Sequence, residues 1–198
     1  MPSAPTQWLG DAEAKPAPEP LNRVQALVNT IDLESGLDRL ADPADARPWL
    51  VSNDLLAPEA ELAAGDLELV RRVREALRAM LVHNAGGPAP GPDAFKPLRE
   101  VAAASSARAE FGADGTVLLV AAGDSLPARL IGLLLIIRDA QREGSWTRLK
   151  ACANDDCQWA FYDRSRNHGG TWCEMAACGN KFKNRDFRAR RRGDAAPR

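Results

Sequence analysis

All four cysteines of this 198-residue chain lie in its last quarter, as two pairs: Cys152 with Cys157, and Cys173 with Cys178. Four residues separate the members of each pair and fifteen separate the pairs. Close pairs on tight turns supply the tetrahedral set of soft ligands that zinc takes, at about 2.3 Å per thiolate, and they need no large preformed core. Two structural disulfides are one alternative. The opening stretch "MPSAPTQWLGDAEAKPAPEP" argues against them, because it has no basic region followed by an apolar one and so does not read as an export signal. Ordinary buried thiols would rarely pair so regularly, and an iron–sulfur cluster stays open as another use of four cysteines. The expected site is one closed, structural Zn2+ with no open position for a hydrolytic water. His168, between the pairs, reads as a loop residue because four thiolates already complete the shell.

Positive charge follows the last cysteine directly. From Ser145 onward there are 12 Lys and Arg against 6 Asp and Glu, which leaves 14 against 21 in the residues before it. Such a split points to a basic appendage with an anionic partner. No Pro or Gly occurs from Asn180 to Arg192, so a helix can run on from Cys178. At 100° per residue Cys178, Phe182 and Ala189 share a narrow arc facing the metal core. Lys181, Arg185, Arg188 and Arg192 stripe one flank of that arc, Lys183 and Arg190 occupy the other, and Arg191 adds to the charge. Seven bases against Asp186 alone can neutralise several phosphates and release their counterions. Arg164 and Arg166, in "DRSRN" between the cysteine pairs, read equally as phosphate contacts or as braces of the metal fold together with Asp163. Trp159, Phe161, Tyr162 and Trp172 are expected to form a miniature core whose stability depends on the metal.

The rest of the chain reads as mainly helical. Residues 1–20, rich in Pro and Ala, are expected to be a flexible leader. Leu21, Val24, Leu27, Val28 and Ile31 share one helical face, and a short helix is expected around Trp49 and Leu50, with Pro43 near its start. In "PEAELAAGDLELVRRVREALRAMLVHNAG" the residues Leu62, Leu69, Val73, Leu77, Met80 and Leu81 have helical spacing. Arg71, Arg72, Arg74 and Arg78 between them read as a solvated face. "GGPAPGP" is a loop, and a further helix is expected from Phe95 to about Ala104. Asp114-Gly115 marks a β-hairpin that should lie on the helices, since a lone hairpin is marginal. Ser125 as N-cap and Pro127 in the first turn open the most apolar helix, expected at the centre of the bundle. Its longest apolar run, Leu130 to Ile137, is eight residues, too short for a bilayer span of about 20. No phosphate loop, nucleophile elbow or helical metal-binding His pair is present. His83 reads as a surface or cap residue. Nothing here points to catalysis, so a non-enzymatic protein is expected, in the cytoplasm, where thiols are mostly reduced.

"CANDDCQWAFYDRSRN…WCEMAACGNK" resembles the CGNR-type zinc finger, with Cys178-Gly179-Asn180-Lys181 at the naming motif. Lys181 stands in place of the motif's arginine, which keeps the charge and loses the bidentate fork. "ALVNTIDLESGLDRLADPADARPWL", "LVRRVREALRAML" and the hairpin before "LIGLLLIIRDAQ" resemble the ABATE domain. The resemblance implies a bacterial, stress-linked transcription regulator. Its mainly α fold would hold a flexible leader over 1–20 and a helical ABATE-like domain with one β-hairpin over 21–144. A treble-clef-like zinc finger ending in a basic helix would cover 145–193, with a tail over 194–198. The expected partners are duplex DNA, an unknown small-molecule effector of the helical domain, and a second copy of the chain; no membrane partner is expected. The rival readings are an RNA-binding module and a protein-interaction module built on the same zinc unit, and an enzyme in the helical domain, which lacks a motif for one.

Overall fold

Helix α1 stops before its apolar stripe does, and the chain turns there into a short strand. The computed structural model describes Trp8 and residues 12–180. Helix α1 is Asn22–Val28, with Leu21, Val24, Leu27 and Val28 buried as their spacing predicts. Ile31, expected on the same helical face, instead begins strand β1 (Ile31–Asp32), which pairs antiparallel with β2 (Leu37–Asp38). Thr30 turns its hydroxyl back to the Leu27 carbonyl at 2.8 Å, and the Asn29 side chain is claimed elsewhere in the fold. Polar side chains that bond nearby backbone compete with helix continuation.

Helix α2 (Pro43–Ser52) opens where Asp42 accepts the Ala44 and Asp45 amides at 2.8 and 3.0 Å, with Pro43 in the first turn. Helix α3 (Ala64–Asn84) begins after Leu62, where the Asp66 carboxylate accepts the Ala63 N–H at 3.2 Å. Its buried side is Leu67, Val70, Val73, Leu77 and Leu81, while Leu69 and Met80 are only half-covered. The solvated-face expectation fails for two of the four arginines. The side chains of Arg74 and Arg78 are each only 4% exposed. Arg74 forks onto both oxygens of Asp38 at 2.7 and 2.9 Å and reaches Thr30 and Glu75. Arg78 reaches Glu75, the Val28 carbonyl and the Gln158 carbonyl. A guanidinium is buried at a high cost unless its donors find partners, and here every nitrogen of both groups has one.

A 3-10 turn (Pro92–Phe95) leads into α4 (Lys96–Ala104). Strands β3 (Ser106–Phe111) and β4 (Val117–Ala122) form the expected hairpin, with Gly115 at φ +84° in its loop. Only its base lies on the helices: β3 is exposed throughout, and just Val120 to Ala122 of β4 are half-buried. Helix α5 (Leu126–Arg142) is capped by Ser125, whose hydroxyl accepts the Ala128 amide at 3.3 Å. The central helix is α3 rather than α5. Helix α3 touches α1, α2, α4 and the later strand at Leu149–Ala151, whereas one side of α5 is taken by the hairpin.

Strands β5 (Leu149–Ala151) and β6 (Ala160–Tyr162) make a third antiparallel pair. Leu149, Ala151 and Ala160 belong to the same apolar cluster as α1, α3 and α5. One continuous core therefore replaces the separate miniature core expected around the aromatics. Phe161 is buried, whereas Trp159 and Trp172 stay half-exposed. The leader expectation also changes for its described part, because residues 12–20 pack as a strap. Ala17 is buried, and the Lys15 carbonyl accepts the Tyr162 amide at 3.0 Å, so the strap runs beside β6.

Candidate metal centre

The turn between β5 and β6 carries the first cysteine pair. The Cys152 amide donates to the Trp159 carbonyl at 2.9 Å, and the Asn154 carbonyl accepts from Cys157 and Gln158 at 2.9 and 3.0 Å. Gln158 takes a positive φ of 44°, which bends the chain back toward β6. Of the second pair, Cys173 precedes and Cys178 sits on a π-helical turn, Met175–Gly179, where the Cys178 and Gly179 amides both donate to the Glu174 carbonyl. Gly179 has a packing reason: a Cβ there would lie 2.2 Å from Met175 Sδ and 3.3 Å from Trp172. The Ala153 amide joins the two turns by donating to the Thr171 carbonyl at 3.1 Å.

The four Sγ atoms all lie within 4.8 Å of one another. Cys157 and Cys173 are 3.7 Å apart, and Cys173 and Cys178 are 3.9 Å apart. A tetrahedron of thiolates about 2.3 Å from a central zinc has edges of about 3.8 Å, so these residues fit that ion. A disulfide needs about 2.05 Å, and all four cysteines are free. An iron–sulfur cluster would place several atoms between the thiolates and needs a wider cage than this.

Electrostatics agree with a cation at the centre. Hydrogen bonds from the Cys157 and Cys173 thiols pull Cys152 down to about 2. In return, bonding to the ionised Cys152 pushes Cys157 up to about 12 and raises Cys173 further still. Four thiols this close cannot all ionise unless positive charge joins them. Asn154 directs its amide at Cys178 Sγ from 3.9 Å, an outer-shell donor of the kind that steadies a thiolate.

Around this centre lie polar contacts that sequence reading did not find. Asn29 holds Ala160 as a neighbouring strand would: its Oδ1 accepts the amide at 2.7 Å and its Nδ2 donates to the carbonyl at 3.0 Å. Gln25 donates to the same carbonyl and accepts from Ala17. Glu13 accepts from Asn29 and from the Trp159 indole, and burial raises its pKa against those bonds. The only sequence signal was polarity inside an apolar helical stretch, at Gln25, Asn29 and Thr30.

A second buried ion pair holds the loop between the cysteine pairs. Lys150 Nζ lies 2.9 Å from Asp163, with exposures of 7% and 3%. The same ammonium also donates to the His168 and Gly170 carbonyls. Burial works against the Asp163 charge, but the bonds from Lys150, Ser165 and Gly170 outweigh it and hold this carboxyl well below its usual range. Asp163 is thus the brace. Arg164 is exposed, donates to the Pro16 carbonyl at 2.9 Å and lies over the Tyr162 ring; Arg166 is exposed on the loop. His168 is an exposed loop residue at φ +50°, as read from the sequence, and it is not among the clustered ligands. His83 is an exposed residue near the end of α3.

The described chain reaches Asn180 in helical conformation, with its side-chain amide donating to the Ala176 carbonyl at 3.2 Å. Lys181, Lys183, Arg185, Arg188, Arg190, Arg191 and Arg192 lie outside the described residues. Among the described residues no helix is long and apolar enough to cross a membrane.

No curated protein matches the chain. Two families do. The CGNR zinc finger matches residues 148–191, where the clustered thiols sit, so the chain carries one structural zinc site. The ABATE family, described as "Putative stress-induced transcription regulator", matches residues 21–142. That span is well over half of the 198 residues, and the order of the two matches is the order read from the sequence. The chain belongs to the ABATE family and carries a CGNR zinc finger after the helical region.

Proposed function

We propose that this protein is a zinc-dependent, DNA-binding transcription regulator without enzymatic activity, working in the cytoplasm. Cys152, Cys157, Cys173 and Cys178 are its metal ligands. When bound, zinc neutralises the crowded thiolates and locks the two turns together; it supplies no reactive water. The protein's own residues do the rest. Asn29 and Arg78 bond the first turn to α1 and α3, and Lys150 with Asp163 fixes the intervening loop. The finger is therefore held as part of the folded body.

One observation carries the reading: the π turn bearing Cys178 leads straight into seven basic residues with one acid among them. Lys181, Lys183, Arg185, Arg188 and Arg190 to Arg192 meet phosphate. Arg166, exposed on the loop, can join them, whereas Arg164 is already engaged with Pro16 and Tyr162. The cavity of about 290 Å³ beside Glu13, Lys15 and Trp159 is also lined by Cys157, Cys173 and Cys178, so it is in part the metal site and gives no separate place to an effector of the helical domain.

Fluorescence anisotropy of labelled duplex DNA over a salt series tests the function. Affinity should fall steeply as salt rises, and Arg185→Ala with Arg188→Ala should lower both affinity and the magnitude of the slope. Structured RNA that competes better than duplex would transfer the reading to RNA. Binding that ignores both salt and the double substitution would leave a protein-interaction module.

A further inference from the structure

The β3–β4 hairpin is an arm with an unprotected edge and an apolar tip. Six large apolar residues are exposed among the described residues, and four of them sit here: Phe111 (76%), Val117 (61%), Leu118 (50%) and Leu119 (44%). The hairpin is a two-stranded sheet that rests on α5 through both strands, more through β4, and β3, paired only with β4, is exposed along its whole length, so its outer edge is open. Strand β3 reads "SARAEF", with no proline, lysine or bulge to block pairing. Natural sheets normally guard such an edge, because its free N–H and C=O groups accept another strand.

We infer that two copies of this chain pair through β3, antiparallel about a two-fold axis at Ala109, so that the two hairpins form one four-stranded sheet. The register follows from charge and size. Opposed residues in an antiparallel pair share a face. Centred on Ala109, Arg108 of each copy opposes Glu110 of the other. Arg108 and Glu110 already bridge at 2.7 Å within one arm, so both project on the same side. On the other face Ala109 meets its own copy, and Phe111 opposes Ala107. The neighbour of Ala107 across the hairpin is Ala121, so the largest side chain of β3 falls on a shallow pit of small ones.

The adjacent registers are worse. Centring the axis on Arg108 sets arginine against arginine, and centring it on Glu110 sets carboxylate against carboxylate. Like charges directly opposed destabilise a pair and so select against those registers. The interface is isologous, as a two-fold dimer requires. It stands whether or not the finger binds DNA.

The test uses the full zinc-loaded chain in sedimentation equilibrium at micromolar concentration. The wild type should be a dimer. Arg108→Glu and Glu110→Arg should each weaken it roughly tenfold or more, by lining the seam with charges of one sign. Mixed together, the two variants should form a heterodimer, because every opposed pair across the seam is then opposite in charge. A role confined to folding within one chain cannot produce that rescue. Phe111→Ser should weaken the dimer as well, and far-UV circular dichroism with zinc content checks that each variant is folded. A monomeric wild type would overturn the inference. So would a dimer indifferent to all three substitutions, or a mixture of the charge variants that stays monomeric.

Discussion

Arg78 on α3 donates from Nη1 to the carbonyl of Gln158 at 2.9 Å, and so ties the longest helix of the described chain to the turn that carries Cys157. Its other donors go to Glu75 and to the Val28 carbonyl at the end of α1. Three parts of the fold meet at one guanidinium. Burial lowers its pKa, yet Glu75 beside it keeps it charged.

Replacing Arg78 with Met keeps much of its volume and removes every one of these bonds. The buried Val28 carbonyl, the half-buried Gln158 carbonyl and the Glu75 carboxylate then lose this donor. The expected cost is about 3–5 kcal/mol of unfolding free energy, read from urea denaturation of the zinc-loaded protein. Zinc should also transfer to a chelator faster, since the Gln158 turn loses its anchor. Arg72→Met is the control. Arg72 pairs with Glu100 at the surface, with both side chains 40% exposed, so its loss should cost well under 1 kcal/mol.

Metal analysis of the purified protein should find one zinc per chain. Cys178→Ser should hold almost none, and strong chelators should reproduce its behaviour in the wild type. Without the ion the four thiols cannot all ionise, and their mutual hydrogen bonds hold Cys152 low and push Cys157 up. The protein should then melt at lower temperature. Because Leu149, Ala151 and Ala160 lie in the common core, the helices should feel that loss.

The buried Lys150–Asp163 pair predicts a pH signature. The Asp163 carboxyl is depressed in the folded state, so its stabilisation is complete above the ordinary carboxylate range, about pH 4. It is lost as pH falls through the folded value. Asp163→Asn should therefore be less stable than wild type by a constant margin from pH 8 to about 4, and the gap should narrow below that. Paired denaturation curves at each pH, at equal zinc content, measure it. A gap that widens on acidification would contradict the assignment.

Two glycines of the finger should respond differently to alanine. At Gly170 a Cβ would sit 2.6 Å from the Asp163 carboxyl, which Lys150 holds in place. Relief requires breaking a buried pair, so about 2–3 kcal/mol should be lost. At Gly179 the obstacle is the Met175 sulfur, the end of a flexible and exposed side chain. That substitution should cost less, and Met175→Ala in the same chain should recover most of it. Thermal melts of the three variants decide the order.

Some of this architecture was legible residue by residue because the cause is local. Ser125 caps α5 and Asp114-Gly115 turns the hairpin through side-chain and backbone preferences that act within a few positions. Pro43 opens α2 for the same reason. Asn29, Arg74 and Arg78 escaped because each is an ordinary helix-surface residue until something distant covers it. Asp38 and Ala160 do the covering, 36 residues from Arg74 and 131 residues from Asn29. The strap escaped likewise: a Pro- and Ala-rich stretch carries no signal that Lys15 will run beside β6.

The spacing of the four cysteines by itself favoured one bound metal ion, because tetrahedral thiolate geometry demands short paired turns and little else, while the Sγ distances of the fold set aside disulfides and a cluster. The alternation of helical stripes determined a mainly α body for the same kind of reason, periodicity acting along the chain. Only the tertiary structure decided that the finger shares its core with that body. Whether β5 and β6 bury their apolar side on α3 depends on surfaces more than 60 residues apart, such as Asn84 bonding the Leu149 carbonyl. Contacts of that range leave no periodic trace in the residues that make them.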